Sequence, residues 1–405
     1  MVIYEQENFW QMRKTVILFL PKVCYGGQER VVSRLIDIIN DSIDVYLTVF
    51  DDSEVVYEIN APIIAIGNRN LDKPGRFRKA MGLLQASRAL SKIVKEKEAI
   101  VCISFGRQVD IVNIISKMYG GKAKHIVSIR GYATAKYIVN SRIRSWLYSR
   151  SDCIISVSKA IQELLRDRLP ISKDRIVTIY NPYDGKNIYN LSKPDGSLDK
   201  DTFTIVSVGT LKWEKGYWHL LKAFKIAQQK TEKAVRLSLQ VIGDDYNNNK
   251  NKLIKLADDL GISDFVEFVE WQSNPYRYIG KADLFVLPSV SEGFPNALVE
   301  AMACGRAVIA ADCKTGPKEI LAENDIKVDA VSKVDYGVLV PELNIREDYS
   351  VNIDAGDEAL AEAIVMLVTN NEERIRYEEL SRKRADDFSY SRCKEEYLNL
   401  LGVGQ

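Results

Sequence analysis

The sequence predicts an α/β fold of two doubly wound parallel sheets facing a central cleft. Three observations point there. Short β-branched runs alternate with longer helix-period stretches throughout, the rhythm of parallel strands covered by helices. That series runs twice, with one polar stretch rich in Asn, Asp, Gly, Ser and Pro between. The length of 405 residues suits two or three domains at roughly 150 residues each.

Taken in chain order, the runs at 15–20, 45–50, 63–66, 99–104, 125–129, 153–157 and 176–179 read as strands. Helix-period segments lie between them at 30–39, 78–95 and 159–165. Residues 183–201 lack an apolar period and read as a linker. A second series follows, with strands at 203–208, 237–242, 266–268, 284–287, 307–310 and 337–340. Its helices are expected near 218–228, 252–260 and 296–304.

Composition narrows the function classes. Fifty-six Lys and Arg against 55 Asp and Glu give a net charge of +1, which excludes a uniformly basic nucleic-acid binder. A 46% hydrophobic and 27% charged chain is ordinary globular protein, not disorder. Cys24, Cys102, Cys153, Cys304, Cys313 and Cys393 are widely spaced with no C-x-x-C pairing, so buried thiols are expected before disulfides or zinc. Glu5 and Glu7 precede the first basic pair, unlike a signal peptide. No apolar run approaches the ~20 residues of a membrane span. There is no G-x-G-x-x-G and no Walker A sequence.

In doubly wound sheets, ligands bind outside the carboxyl ends of the strands, so the loops after Leu20, Val208 and Leu287 are the places to look. The last opens SVSEGFPNALVEAMACG, residues 289–305. Gly293 permits a tight turn, Pro295 suits a first helical position, and the helix from Asn296 ends at Gly305. Free amides at such a helix start favour a phosphate. Glu292 then sits at the cleft mouth, and Glu300 about one turn into the helix. Paired carboxylate acceptors beside a phosphate site suit a nucleotide sugar, whose ribose and hexose present hydroxyl donors. In isolation, two such glutamates merely decorate a helix start.

The spacing Glu292-x7-Glu300 resembles the signature of the retaining glycosyltransferases of family four. The likeness is densest over FVEFVEWQSNPYRYIGKADLFVLPSVSEGFPNALVEAMACGRAVIAADCKTGPKEIL, residues 265–321, and extends diffusely over nearly the whole chain. It implies the GT-B fold, with residues 1–190 as the acceptor-side domain and 191–380 as the nucleotide-sugar domain. A last helix within 381–405 is expected to return to the first domain. Lys215, in VSVGTLKWEKGYWHLLKAF, corresponds to the family's lysine on the donor diphosphate, where a cation offsets charge on the leaving group. Gly26 and Gly27, in PKVCYGGQER, correspond to the glycine loop that closes over the donor. The resemblance assigns catalytic roles to Glu292 and Lys215, and donor binding to Glu300, Gly26, Gly27, Gly293, Thr210, Glu270 and the Phe294, Asn296, Ala297 and Leu298 amides.

The sequence departs from the family in three places. Thr210 stands where an arginine is usual, so one phosphate contact is either missing or supplied by Arg107, Arg130 or Lys212. Arg130 stands where a histidine is usual, which leaves His125 as a strand-start residue and His219 as a helix-face residue. Glu270 replaces a glycine beside the nucleotide base.

The resemblance implies a cytoplasmic, peripheral enzyme that uses a UDP-linked donor, needs no metal and acts on a polyprenyl-diphosphate-linked glycan. Asp51-Asp52 and Asp244-Asp245 form no D-x-D and read as turn residues. The competing readings are a donor-cleaving epimerase of the same fold and a non-catalytic glycan- or lipid-binding module. The net charge hides an asymmetry. Residues 1–190 hold 29 basic and 19 acidic groups, and the remainder 27 and 36, so +10 stands against −9. Arg76, Arg78, Lys79, Arg88, Lys92 and Lys95 surround a helix whose apolar stripe, Leu83, Leu84, Leu90, Ile93 and Val94, is expected to pack on the sheet. The basic field suits an anionic membrane surface, and no nucleic acid is expected.

Overall fold

The computed structural model describes residues 13–24, 26–53, 55–67, 75–193, 202–231 and 234–403. Its first sheet contains β1 (Thr15–Leu20), β2 (Asp44–Val49), β3 (Ile63–Ala65), β4 (Val101–Phe105), β5 (Lys124–Ile129), β6 (Cys153–Ser156) and β7 (Ile176–Thr178). They lie in the order β3-β2-β1-β4-β5-β6-β7, every pairing parallel. The α-helices between these strands are α1 (Gly27–Ile39), α2 (Arg76–Glu96), α3 (Arg107–Ser116), α4 (Tyr132–Val139), α5 (Arg142–Tyr148) and α6 (Lys159–Arg168).

After α7 (Gly185–Ser192), the second sheet contains β8 (Thr202–Val208), β9 (Arg236–Ile242), β10 (Val266–Val269), β11 (Leu284–Leu287), β12 (Ala307–Ala311), β13 (Ser332–Val334) and β14 (Gly337–Val340). The order is β10-β9-β8-β11-β12-β14-β13, parallel except for β13, which pairs antiparallel with β14. Its helices are α8 (Tyr217–Thr231), α9 (Asn249–Asp259), α10 (Tyr276–Lys281), α11 (Asn296–Ala303), α12 (Pro317–Leu321), α13 (Ala355–Thr369) and α14 (Asn371–Ala385), and α15 (Tyr390–Leu401) follows. Both sheets reverse their order beside the first strand of the series, so each has a switch point, at β1/β4 and at β8/β11.

The central strands are buried on both faces, which is why they read as unbroken apolar runs: β4, β6, β11, β12 and β14 have no exposed residue. Helix α1 shows the one-sided pattern, burying Val31, Val32, Leu35, Ile36, Ile38 and Ile39. On α2, Leu90 and Val94 are buried and Leu83 and Ile93 pack beside them, but Leu84 faces out, against the expectation for the stripe. No helix among the described residues is long and apolar enough to cross a membrane. No disulfide joins the cysteines among the described residues, and Cys102, Cys153, Cys304, Cys313 and Cys393 are buried.

One stretch differs from the sequence expectation. The supposed linker begins with α7, started by Asp184, whose side chain accepts from the Asn187 amide at 3.0 Å. An eight-residue helix that buries only Ile188 and Ser192 shows too little periodicity to be seen. Residues 194–201 of the expected linker and 1–12 at the start lie outside the described residues. Near the end, α15 packs on α1 and sinks Cys393, Tyr397 and Leu401 into the core of the first half. The chain therefore passes between the halves twice. The crossings are bonded to each other: Tyr183 N–H donates to Phe388 O at 3.0 Å, and Tyr390 N–H to Tyr183 O at 3.1 Å.

Both histidines are buried and bonded within the fold. His125 Nδ1 lies 2.8 Å from Asn113 Oδ1 and 3.3 Å from Ser116 Oγ, and burial pulls its pKa down to about 4. His219 is not on an open helix face. Its Nδ1 lies 2.5 Å from Asp357 Oδ1 and its Nε2 2.9 Å from Asn344 O.

Candidate functional site

The carboxyl ends of β1, β4, β8 and β11 open onto one cleft of about 510 Å³ between the halves. From the first half, the loop after β1 brings Gly26, Gly27, Gln28 and Arg30 to the wall. Gln28 Nε2 donates to Phe105 O at the end of β4 (2.9 Å), and Tyr57 Oη holds Gly26, accepting from its N–H (3.4 Å) and donating to its carbonyl (3.2 Å). Arg130, just past β5, also reaches the wall. Burial works against its charge and lowers its pKa, countered by Tyr397, Tyr183 and Cys393, and its bonded partner is the neutral Asn181 Oδ1.

From the second half, the loop after β8 contributes Gly209, Thr210, Lys212 and Lys215. Lys215 closes a one-turn 3-10 helix that ends at Gly216, whose φ is +63°. A Cβ at Gly216 would lie 2.1 Å from Pro288 O, so only glycine lets this loop lie against the end of β11. That contact brings Lys215 to Glu292: Nζ donates to Oε1 at 2.7 Å, and Ser289 Oγ donates to the same oxygen at 2.8 Å. The next residue, Gly293, meets the other half. A Cβ there would lie 2.2 Å from Arg130 O.

Helix α11 starts beyond it. Pro295, expected at the first helical position, is instead the N-cap, in an extended conformation (φ −73°, ψ 101°). The first amides of a helix have no partner one full turn back, and Phe294, Asn296 and Ala297 line the cleft. Asn296 also ties the halves together. Its Oδ1 accepts from Asn181 Nδ2 (2.5 Å) and Tyr183 Oη (2.6 Å), and its Nδ2 donates to Gly27 O (3.4 Å).

Glu300, one turn on, also lines the cleft, yet only 3% of its side chain is exposed. Its Oε1 receives Arg34 Nη2 at 3.0 Å and Tyr276 Oη at 3.3 Å, with Arg30 Nη1 at 3.4 Å. Both arginines come from α1 of the first half. Burial opposes the Arg34 charge, but Glu300 and the nearby tyrosines hold its pKa above the ordinary value.

The cleft thus gathers Gly26, Gly27, Arg130, Thr210, Lys215, Glu292, Gly293, Phe294, Asn296, Ala297 and Glu300. Three expected residues lie elsewhere. Leu298 is fully buried and its amide donates to Pro295 O at 3.1 Å, so it has nothing left for a ligand. Glu270 follows the edge strand β10 with its side chain 89% exposed, 4.0 Å from Lys250, while the next two residues, Trp271 and Gln272, line the cleft. Arg107 opens α3 one residue after Gly106 of the wall, but stacks on the Tyr137 ring at 5.1 Å on the outer surface. Sequence reasoning missed Arg30, Arg34, Tyr276, Tyr57 and Asn181. The signal for the arginines was their place, three and seven residues after Gly27 on one helix, but an arginine on an amphipathic helix usually faces water.

Residues 25–186 match the family described as Glycosyltransferase Family 4, and residues 190–384 match Glycosyl transferases group 1. Among curated relatives, a Campylobacter jejuni enzyme is 29% identical over 76% of this chain and 83% of its own. It is named N-acetylgalactosamine-N,N'-diacetylbacillosaminyl-diphospho-undecaprenol 4-alpha-N-acetylgalactosaminyltransferase. The lipopolysaccharide 1,6-galactosyltransferase of Escherichia coli K12 is 26% identical over 58% of this chain and 62% of its own. In fold, the chain resembles Anabaena HepE, solved in complex with UDP and glucose. The TM-score is 0.73 at 16% identity, covering 96% of this chain and all of the other. The two family matches reach from residue 25 to residue 384 and leave neither half out; the chain is a glycosyltransferase of family 4, with the GT-B fold.

Proposed function

We propose that this glycosyltransferase moves a hexose or N-acetylhexosamine from a nucleoside diphosphate sugar, UDP-linked, to a lipid-linked glycan during surface polysaccharide synthesis, with retention of configuration. The observation that carries the reading is the Lys215–Glu292 pair beside the start of α11, with Glu300 in the same cleft wall. A volume of about 510 Å³ falls among those of small-molecule sites, which run from roughly 300 to 1,000 Å³. UDP and glucose in the Anabaena neighbour, and diphospho-undecaprenol in the Campylobacter relative's name, support the donor and acceptor classes.

In this reading Glu300 holds the ribose, and Glu292 the sugar hydroxyls. Lys215, Arg130 and the amides of Phe294, Asn296 and Ala297 surround the diphosphate. The acceptor hydroxyl attacks the anomeric carbon from the face the diphosphate leaves. A C–O bond forms, the C–O bond to phosphate breaks, and the hydroxyl proton passes to the departing phosphate oxygen. No protein base is then required, and a cation at the phosphates stabilises the charge that develops there. Contact of the halves across the cleft excludes water and limits hydrolysis. The reading gives no step to a metal ion. Asp51 is paired with Lys22, and Asp245 accepts the Lys250 amide.

The test is calorimetry with UDP and GDP, then turnover of a donor panel in EDTA-treated protein. Lys215→Ala and Glu300→Ala should each cut turnover about 100-fold, the scale for losing one preorganised charge-stabilising group. Unchanged binding and turnover in both would refute the assignment. Release of free sugar and its epimer from donor alone would point to an epimerase instead.

A further inference from the structure

Every contact on Glu300 described above falls on Oε1, and all of it comes from Arg34, Arg30 and Tyr276. Among the described residues none bonds Oε2, although Glu300 lines the cleft. A carboxylate accepts at both oxygens, about four sites in all, so Oε1 can be fastened to protein while Oε2 serves a ligand. The fastening comes mainly from Arg34. Its side chain is 12% exposed, lies outside the cleft wall, has a shorter approach to Oε1 than Arg30, and donates from the same Nη2 to Tyr276 Oη at 2.9 Å. Its ring contact, Tyr183 at 5.6 Å, belongs to the crossing between the halves.

We infer that Arg34 is a positioning residue for the donor: it pins Glu300 Oε1 across the domain boundary so that Oε2 is presented to the ribose hydroxyls. The inference rests on the ribose reading of Glu300 and adds to it a requirement from the other half. Without Arg34, Oε1 keeps only Arg30 at 3.4 Å and Tyr276 at 3.3 Å, so the carboxylate is less firmly held and can turn away from the cleft. The acceptor for a ribose hydroxyl is then weakened while the phosphate contacts of Lys215 and the α11 amides are untouched. Arg34 also sits on the helix that begins at Gly27, so glycine loop and ribose contact are carried by one rigid element.

The experiment measures affinity for UDP, 2′-deoxy-UDP and 3′-deoxy-UDP in the full chain, in Glu300→Gln and in Arg34→Met. A hydrogen bond to a charged group supports a preference for UDP over a deoxy form of roughly tenfold or more. That preference should collapse in Glu300→Gln and in Arg34→Met alike, with the deoxy forms bound at similar strength by all three proteins. A general loss of structure in Arg34→Met would weaken all three nucleotides together, leave their ratios unchanged, and overturn the inference. A wild-type preference kept in Arg34→Met but lost in Glu300→Gln also overturns it while leaving the ribose reading intact. Equal affinity of the wild-type protein for UDP and both deoxy forms removes the ribose reading itself. If Arg34→Met does not fold, Arg34→Gln, a smaller polar substitution without the charge, is read by the same ratios.

Discussion

His125 and Arg130 stand at opposite ends of β5, and burial works against the charge of each. The imidazole can answer by staying neutral. The unfolded chain takes up a proton near pH 6.5 and the folded chain only near pH 4, so the stability tied to neutral His125 is present above pH 6.5 and lost as pH falls towards 4. Between pH 7 and pH 5 the loss should be about 1–2 kcal/mol, a figure urea titrations can resolve. His125→Gln should show a smaller drop over that interval; an equal drop would place the acid sensitivity elsewhere. Arg130 cannot shed its proton at ordinary pH, and its bonded partner is a neutral amide, so an anion in the cleft is the natural complement. The sequence made Gly26, Gly27, Lys215, Glu292 and Glu300 legible because their spacing resembles a known pattern. Arg34 was illegible: nothing local distinguishes an arginine that crosses a domain boundary from one that meets water. Glu270 lies just past β10 with its side chain in solvent, while the two loop residues after it, Trp271 and Gln272, line the cleft, a path that likeness at a single position does not reveal.

Among the elements, the buried strands were readable to within a residue or two. Thr15–Leu20 and Leu284–Leu287 fall where expected, and Val101–Phe105 is shifted towards its carboxyl end. The short helices α4, α5, α7, α10 and α12, with eight residues or fewer, escaped because two turns carry almost no period. One of these omissions bears on membrane contact. Helix α3 packs against both α2 and α5, and the turn Lys117–Tyr119 packs on α2, so the three share one side of the first sheet. That side shows Phe77 (80% exposed), Met118 (83%), Met81, Ile143 and Trp146 among the exposed cations Arg78, Lys79, Arg88, Lys92, Arg142 and Arg150. Apolar tips among cations suit the headgroup boundary of an anionic bilayer. Charge reversal at Arg78 and Lys79 should weaken sedimentation with anionic vesicles in a salt-sensitive way. Met118→Asp with Trp146→Asp should weaken it even at high salt. Unchanged sedimentation in both variants would remove this face from consideration.

At the scale of the whole molecule, the near-neutral total separates into a basic first half and an acidic second half, +10 against −9. The two meet at close quarters where Gly293 touches the Arg130–Gly131 backbone. A methyl group there cannot be absorbed by a side chain turning aside, because the obstacle at 2.2 Å is a carbonyl oxygen. Gly293→Ala should therefore leave each half folded, with a thermal midpoint near that of the parent, while holding the halves apart. Small-angle scattering should register a larger radius of gyration and turnover should fall at least tenfold; an unchanged radius with full turnover would contradict it. The existence of two halves was plain in the sequence, since the βα series runs twice. Their mode of contact was not, because it depends on pairs such as Glu319 with the Lys159 amide (2.7 Å), separated by 160 residues. The paired crossings at Tyr183 and Phe388–Tyr390 set how such halves can part. A single strand between two bodies would let them swivel like a ball in a socket. Two strands bonded side by side resist torsion and leave one easy bend, so the pair works as a door hinge. Tyr183 itself reaches Asn296 in the cleft wall, so the pivot lies at the inner end of the cleft and its outer rim travels farthest. Each closing swing then returns the glycine loop of one half to the same register against α11 of the other.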